Sequence, residues 1–101
     1  MEYKVILTDT ASDDLLSAVR HIAQFNYTAA IKFHDETIKS LQRLSKDPHI
    51  APEAANRRLK TLGYRKLVLD NYIAWYKVDD KSRHVKIIRF LHGAMKQEKH
   101  L

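Results

Sequence analysis

The sequence predicts an α+β domain, a helical hairpin packed on a small antiparallel sheet, in the order β-α-α-β-β-β. Three observations predict it. The first half has two stretches with apolar residues at helical spacing. The second half has three strand-like runs, 64–69, 72–78 and 84–92, whose links are short enough only for antiparallel neighbours. Asp47-Pro48 divides the halves, because a proline ring disfavours helical geometry in the residue before it and proline donates no amide hydrogen.

Each element has a local cause. Residues 3–7 are a short β-rich run, and Thr8-Asp9-Thr10 then offers side-chain oxygens to the orphan amides of a helix start. Leu15, Val19, Ile22 and Ala23 form the buried stripe of the first helix, which is expected to end near residues 24–26. Thr28 is the expected cap of the second, with Ile31, Ile38, Leu41 and Ser45 on one face and Phe33, Thr37 and Leu44 broadening it. Residues 49–63 read as a connection with a possible helical turn at 53–56, and Gly63 supplies freedom for entry into the sheet. Asp70-Asn71 suits a tight hairpin, residues 79–83 a looser one, and residues 96–101 read as a frayed tail. The first strand must pair at a sheet edge.

At 101 residues and 45% hydrophobic, the chain has material for one core, so residues 1–101 are expected to form a single domain. It contains no cysteine, which excludes disulfides, thiolate zinc sites and cysteine nucleophiles. The six histidines lack ligand spacing, so no metal site and no cofactor is expected. No apolar run reaches transmembrane length, and the first residues lack a basic segment followed by a long apolar one. A cytoplasmic location and no membrane partner are therefore expected.

Charge is unevenly placed. Residues 51–101 hold twelve Lys and Arg against five acids, a balance of +7, while residues 1–50 carry −1, so the positive charge belongs to the strand-rich half. Such a field attracts negative surfaces, which points to a polyanion or an acidic protein.

The order of elements, the phrase Leu59-Lys60 through Gly63-Tyr64-Arg65, the hairpin Asn71-Tyr72-Ile73-Ala74-Trp75-Tyr76-Lys77-Val78-Asp79 and the ending Ile87-Ile88-Arg89-Phe90-Leu91-His92-Gly93 together resemble the RelE/ParE superfamily. These are toxins of bacterial type II toxin–antitoxin modules, and the resemblance covers essentially the whole chain. It implies a toxin that causes growth arrest, with associated plasmid stabilisation. It also implies a hetero-oligomer with a small acidic antitoxin protein that covers the sheet face. Two targets occur in the superfamily. RelE-like members enter the ribosome and cut mRNA, whereas ParE-like members inhibit DNA gyrase.

Cutting RNA through its 2′-hydroxyl needs a proton acceptor, a proton donor and cations at the phosphate. The resemblance places Arg65, Arg89 and His92 as the catalytic candidates if the protein is a ribosome-dependent endoribonuclease. Two cations of RelE-like nucleases are replaced here, by Leu67 and Ile73, and the replacements lean towards a ParE-like action on gyrase. Alternation puts Ile73, Trp75 and Lys77 on one sheet face. If the other face meets the helices, Trp75 is an outer aromatic anchor beside Lys77, Arg65 and Arg89, the composition of an interface hot spot. Arg57, Arg58, Lys60, Ile73, Trp75 and Lys77 are accordingly the candidate partner-binding set.

Plainer readings stand beside these. Ile73 and Trp75 also suit core packing, and Arg57, Arg58 and Lys60 a solvated loop. His92 also suits a backbone-satisfying role, and Arg89 an ion pair with Asp79, Asp80 or Glu98. A basic nucleic-acid-binding module without activity is the reading outside the toxins.

Overall fold

The computed structural model describes residues 2–101. The chain runs β1 (Lys4–Leu7), α1 (Asp9–Phe25), α2 (Tyr27–Lys46), α3 (Arg57–Thr61), β2 (Arg65–Leu69), β3 (Tyr72–Asp79), β4 (His84–His92) and a 3-10 turn (Gln97–His100). The expected order is present, with α3 and the terminal turn added. The strands lie in the order β1-β4-β3-β2. β2, β3 and β4 form the antiparallel meander, and β1 joins the edge of β4 in parallel, so the sheet is mixed rather than wholly antiparallel.

Capping fixes the hairpin of helices. The Thr8 hydroxyl accepts the Ala11 amide at 3.0 Å to start α1, and it donates to the Ile88 carbonyl at 3.0 Å. Asn26 ends α1 and starts α2, its side-chain oxygen accepting the Ala29 amide at 3.0 Å. The cap is therefore Asn26 and not Thr28, since one residue satisfies both helix ends and leaves no separate linker. α2 also sits a little rotated from expectation. Its buried residues are Ala30, Phe33, Thr37, Leu41 and Leu44, whereas Ile31 and Ile38 are exposed. A wide apolar face does not reveal its own centre, and here the small Ala30 permits the closer approach.

Both sheet faces are covered. Against α1 and α2 lie Leu69, Ala74, Tyr76, Val85, Ile87 and Phe90, with Leu67, Tyr72 and Val78 at the margin. Tyr76 is fully buried, and its hydroxyl donates to the Pro48 carbonyl at 2.8 Å, satisfying the one polar atom that burial would otherwise orphan. Burial also pushes the Tyr76 phenol pKa up. The opposite face carries a second core of Ala54, Leu59, Tyr64, Ile73, Trp75 and Leu91.

That second core depends on segments expected to be irregular. Arg57–Thr61 forms a helix capped by Asn56, whose side-chain oxygen accepts the Leu59 amide at 3.1 Å. It is placed to drop Leu59, 1% exposed, onto the sheet. Residues 53–56 are not helical, and Glu53 instead pairs with Arg65 as an isolated bridge. The tail is also tied down. Arg58 donates to the carbonyls of Glu98 and Leu101 at 3.1 and 3.4 Å, and the Trp75 indole donates to the Gln97 side-chain oxygen at 2.8 Å.

Turn chemistry sets the register. Asp70 opens the two-residue β2–β3 link at φ 57°, an angle that Asp tolerates better than most residues. Gly63 takes φ 87° before β2. Gly93 packs on the same hairpin, its amide donating to the Asn71 carbonyl at 2.7 Å, and a Cβ there would stand 3.3 Å from that oxygen. β4 bulges at Ile88, so that Trp75 faces Arg89 and Tyr76 faces Ile87.

Candidate functional site

The outer sheet face carries a basic rim around an apolar centre. Lys66 lies opposite Trp75, and Lys77 lies opposite Lys86, which places all three lysines on the Trp75 side of the sheet. Arg57 and Lys60 project from α3 above the same face and are exposed. None of these five cations has an ion pair among the described residues. Lys77 instead holds its ammonium 4.5 Å from the centre of the Tyr64 ring, a cation–π contact that orients it.

The centre of this face is closed. Trp75 is 4% exposed and Ile73 8%, packed under Tyr64, Leu59 and the terminal turn. Tyr64 meets Trp75 edge-on with ring centroids 6.3 Å apart. Alternation thus finds the correct face for Ile73 and Trp75; the pair takes the core packing of the plainer reading, and the exposure expected of an interface anchor is corrected. Neither is an accessible anchor while α3 and the tail are in place. Of the partner-binding candidates, Arg57, Lys60 and Lys77 present charge at the rim, and Arg58 is engaged by the tail carbonyls.

The three nuclease candidates are not assembled. Arg65 lies opposite Tyr76 and so belongs to the helix-side face, which corrects its expected place beside Lys77 and Arg89. Its guanidinium donates to the carbonyls of Ala51 at 2.8 Å and His49 at 3.4 Å, with Glu53 at 4.0 Å, and so pins the connection after α2. Arg89 is ion-paired, as the plainer reading allowed, but with Asp14 of α1 rather than Asp79, Asp80 or Glu98. Its Nε and one terminal nitrogen donate to the two Asp14 oxygens at 2.7 and 3.0 Å. The Phe90 amide donates to the same carboxylate at 3.1 Å.

The reason is architectural. β1 pairs only with residues 84–87 of β4, so the β4 edge beyond Ile87 has lost its ladder partner. Thr8 and Asp14 supply the missing partners from the start of α1. Asp14 also holds the Arg89 guanidinium firmly protonated, raising its pKa through the hydrogen-bonded pair. An arginine tied in this way is a structural cross-link.

His92 closes β4 opposite Tyr72, the two rings edge-on at 5.1 Å. Its Nδ1 accepts the Ala94 amide at 3.1 Å, which in the neutral ring leaves the proton on Nε2. His92 therefore fills the backbone-satisfying role of the plainer reading, with an amide as its partner. It shares a shallow recess with Asp14, His21, Tyr72 and Arg89. Arg65 is remote from it: their ladder partners Tyr76 and Tyr72 are four residues apart on β3, on the order of 13 Å.

Two features escaped sequence reasoning. Asp14 lies 75 residues from Arg89, and nothing local marks it as a partner. Phe25 and Tyr27, at the tip of the helical hairpin, are 80% and 71% exposed, although aromatic residues in a helical hairpin would ordinarily be assigned to a core. No group of three His, Asp or Glu able to hold a metal occurs among the described residues. No described helix is long and apolar enough to cross a membrane.

The sequence model of the ParE toxin of the type II toxin–antitoxin system parDE matches residues 5–97. The chain belongs to the ParE toxin family. No curated protein matches it significantly in sequence. Among solved structures, the chromosomal ParDE toxin–antitoxin system from P. aeruginosa is similar with a TM-score of 0.71 at 18% identity, over 90% of this chain and 96% of that one. The toxin–antitoxin complex RelBE2 from Mycobacterium tuberculosis is similar with a TM-score of 0.61 at 24% identity, over 91% and 99%. The archaeal RelE-RelB complex from Pyrococcus horikoshii gives 0.50 at 17%, over 93% and 98%. These likenesses carry the fold, which this ParE-family chain shares with both branches of the superfamily.

Proposed function

We propose that this toxin arrests growth in the cytoplasm by binding DNA gyrase through protein–protein contact. A small acidic antitoxin protein holds it silent in a hetero-oligomer by covering the basic rim of Arg57, Lys60, Lys66, Lys77 and Lys86. The observation that carries the choice of target is the commitment of the two arginines. Arg65 is held by backbone carbonyls and Arg89 by Asp14, on opposite sides of the sheet, so they do not converge on one phosphate. In-place cations are the least that metal-free phosphodiester cleavage requires. The membership of the ParE family supports the same reading.

The rim supports the antitoxin part. Lys and Arg side chains without ion pairs draw in an acidic segment, and a segment that orders itself on binding can wrap a large surface. Titration of the purified protein into gyrase supercoiling reactions, and in parallel into translating ribosomes, tests the target. Inhibition of supercoiling with intact messenger is expected.

A further inference from the structure

One end of the molecule is unlike the rest. In a chain that is 30% charged, the three longest stretches without Lys, Arg, Asp or Glu are residues 21–31, 71–76 and 90–95. Far apart in sequence, they meet in space. The first is the tip of the α1–α2 hairpin, the second opens β3 and the third ends β4. All three line adjoining recesses that share His21, Tyr72 and His92. The recess under the hairpin tip is about 260 Å³, floored by Phe33 and Tyr72, and Asp70 is the one residue lining it with a fixed charge.

The exposed Phe25 forms part of the wall of this recess, the exposed Tyr27 follows its lining residue Asn26 at the hairpin tip, and Met95, 40% exposed, lines the neighbouring one. Phe25 is steadied by an edge-on contact with His21 at 5.4 Å. A charge-depleted centre with large aromatic side chains is the composition of an interface core, and contiguous exposed apolar surface on a small domain marks a contact site.

We propose that this end of the molecule binds a second copy of the same chain about a two-fold axis, the Phe25 and Tyr27 side chains of each copy entering the recess of the other. Two arguments select that occupant. A two-fold interface is one patch meeting itself, so it must carry protrusion and recess side by side, as this one does. Each copy also carries +6, so two copies repel through the basic rim, and at this end the fixed charges lining the recesses are Asp70 and the mutually paired Asp14 and Arg89. An acidic segment or a nucleic acid would find the one arginine lining these recesses, Arg89, already tied to Asp14. The proposal stands apart from the choice of target.

The area sets the strength. Aromatic side chains bury roughly 150–250 Å² each, so four of them at about three-quarters exposure supply on the order of 600 Å². With the recess walls this reaches the lower range for specific association, so dissociation in roughly the ten-micromolar range or above is expected.

Sedimentation equilibrium of the intact chain over a wide concentration range tests the proposal, with Phe25→Ser and Tyr27→Ser measured alongside. Circular dichroism checks that each variant keeps the fold, as exposed positions should. The wild type is expected to form a reversible dimer that tightens in about 1 M salt, where the Debye length is near 3 Å and repulsion between the basic copies is screened. Each substitution is expected to weaken it at least tenfold. A wild type that stays monomeric at the highest concentration and salt overturns the proposal. So does a dimer that both substitutions leave unchanged, which would place the contact on another face.

Discussion

The residue that best shows how structure revises sequence is Arg89. Its neighbours are hydrophobic and its family context suggests an active face, yet its charge is absorbed by Asp14, with the pair only 23% and 15% exposed. Removing one partner of a largely buried pair strands the other, which costs about 3–5 kcal/mol when burial is complete and roughly 2–3 kcal/mol at this exposure. Arg89→Ala is therefore expected to lower stability by about that amount in urea unfolding. Asp14→Ala should cost at least as much, because it also orphans the Phe90 amide. If Arg89→Ala leaves the unfolding midpoint unchanged, the cross-link contributes nothing. Arg89 was legible as either a clamp or an ion pair, but its partner was not, since a contact across 75 residues leaves no periodic trace. Trp75 was legible as to face by strand alternation. Its burial was not, because α3 and the tail that bury it carry no strong hydrophobic period.

At the scale of elements, strands, turns and the helical hairpin follow from patterning, while the cover over the second core follows from a few specific bonds. The terminal turn depends on Trp75 to Gln97 and Arg58 to the tail carbonyls. Deleting residues 97–101 should expose the sole tryptophan, shifting its emission to the red and lowering the thermal midpoint while the helical circular dichroism persists. An unshifted emission would mean that α3 alone seals the face. The β3–β4 turn adds a pH-dependent contribution. The Asp79 carboxylate accepts the Lys81 and Ser82 amides at 3.0 and 3.2 Å. Its bonds to Ser82 lower its pKa below the ordinary value. A carboxyl group lowered by folding stabilises the folded state above its unfolded pKa of about 3.9, and that contribution is lost as pH falls through the folded value. Asp79→Ala is thus expected to lower the thermal midpoint at neutral pH and to flatten its decline on acidification below about pH 4. An unchanged acid limb would assign that decline to other carboxylates.

For the whole molecule, charge segregation was legible from composition, but its division into working parts was not. The basic half proves to hold a sealed apolar centre within a rim of cations, and the charge-poor end is assembled from three distant stretches. The family follows from the sequence over nearly its full length, while the proposal of gyrase as target rests on where the two arginines are spent. Gyrase supercoiling and ribosome-bound mRNA cleavage, assayed side by side with the wild type and His92→Gln, test that claim most directly. The account predicts that the wild type inhibits supercoiling, that messenger stays intact and that His92→Gln inhibits as the wild type does. Cleavage of ribosome-bound messenger that His92→Gln abolishes, with supercoiling unaffected, would contradict it.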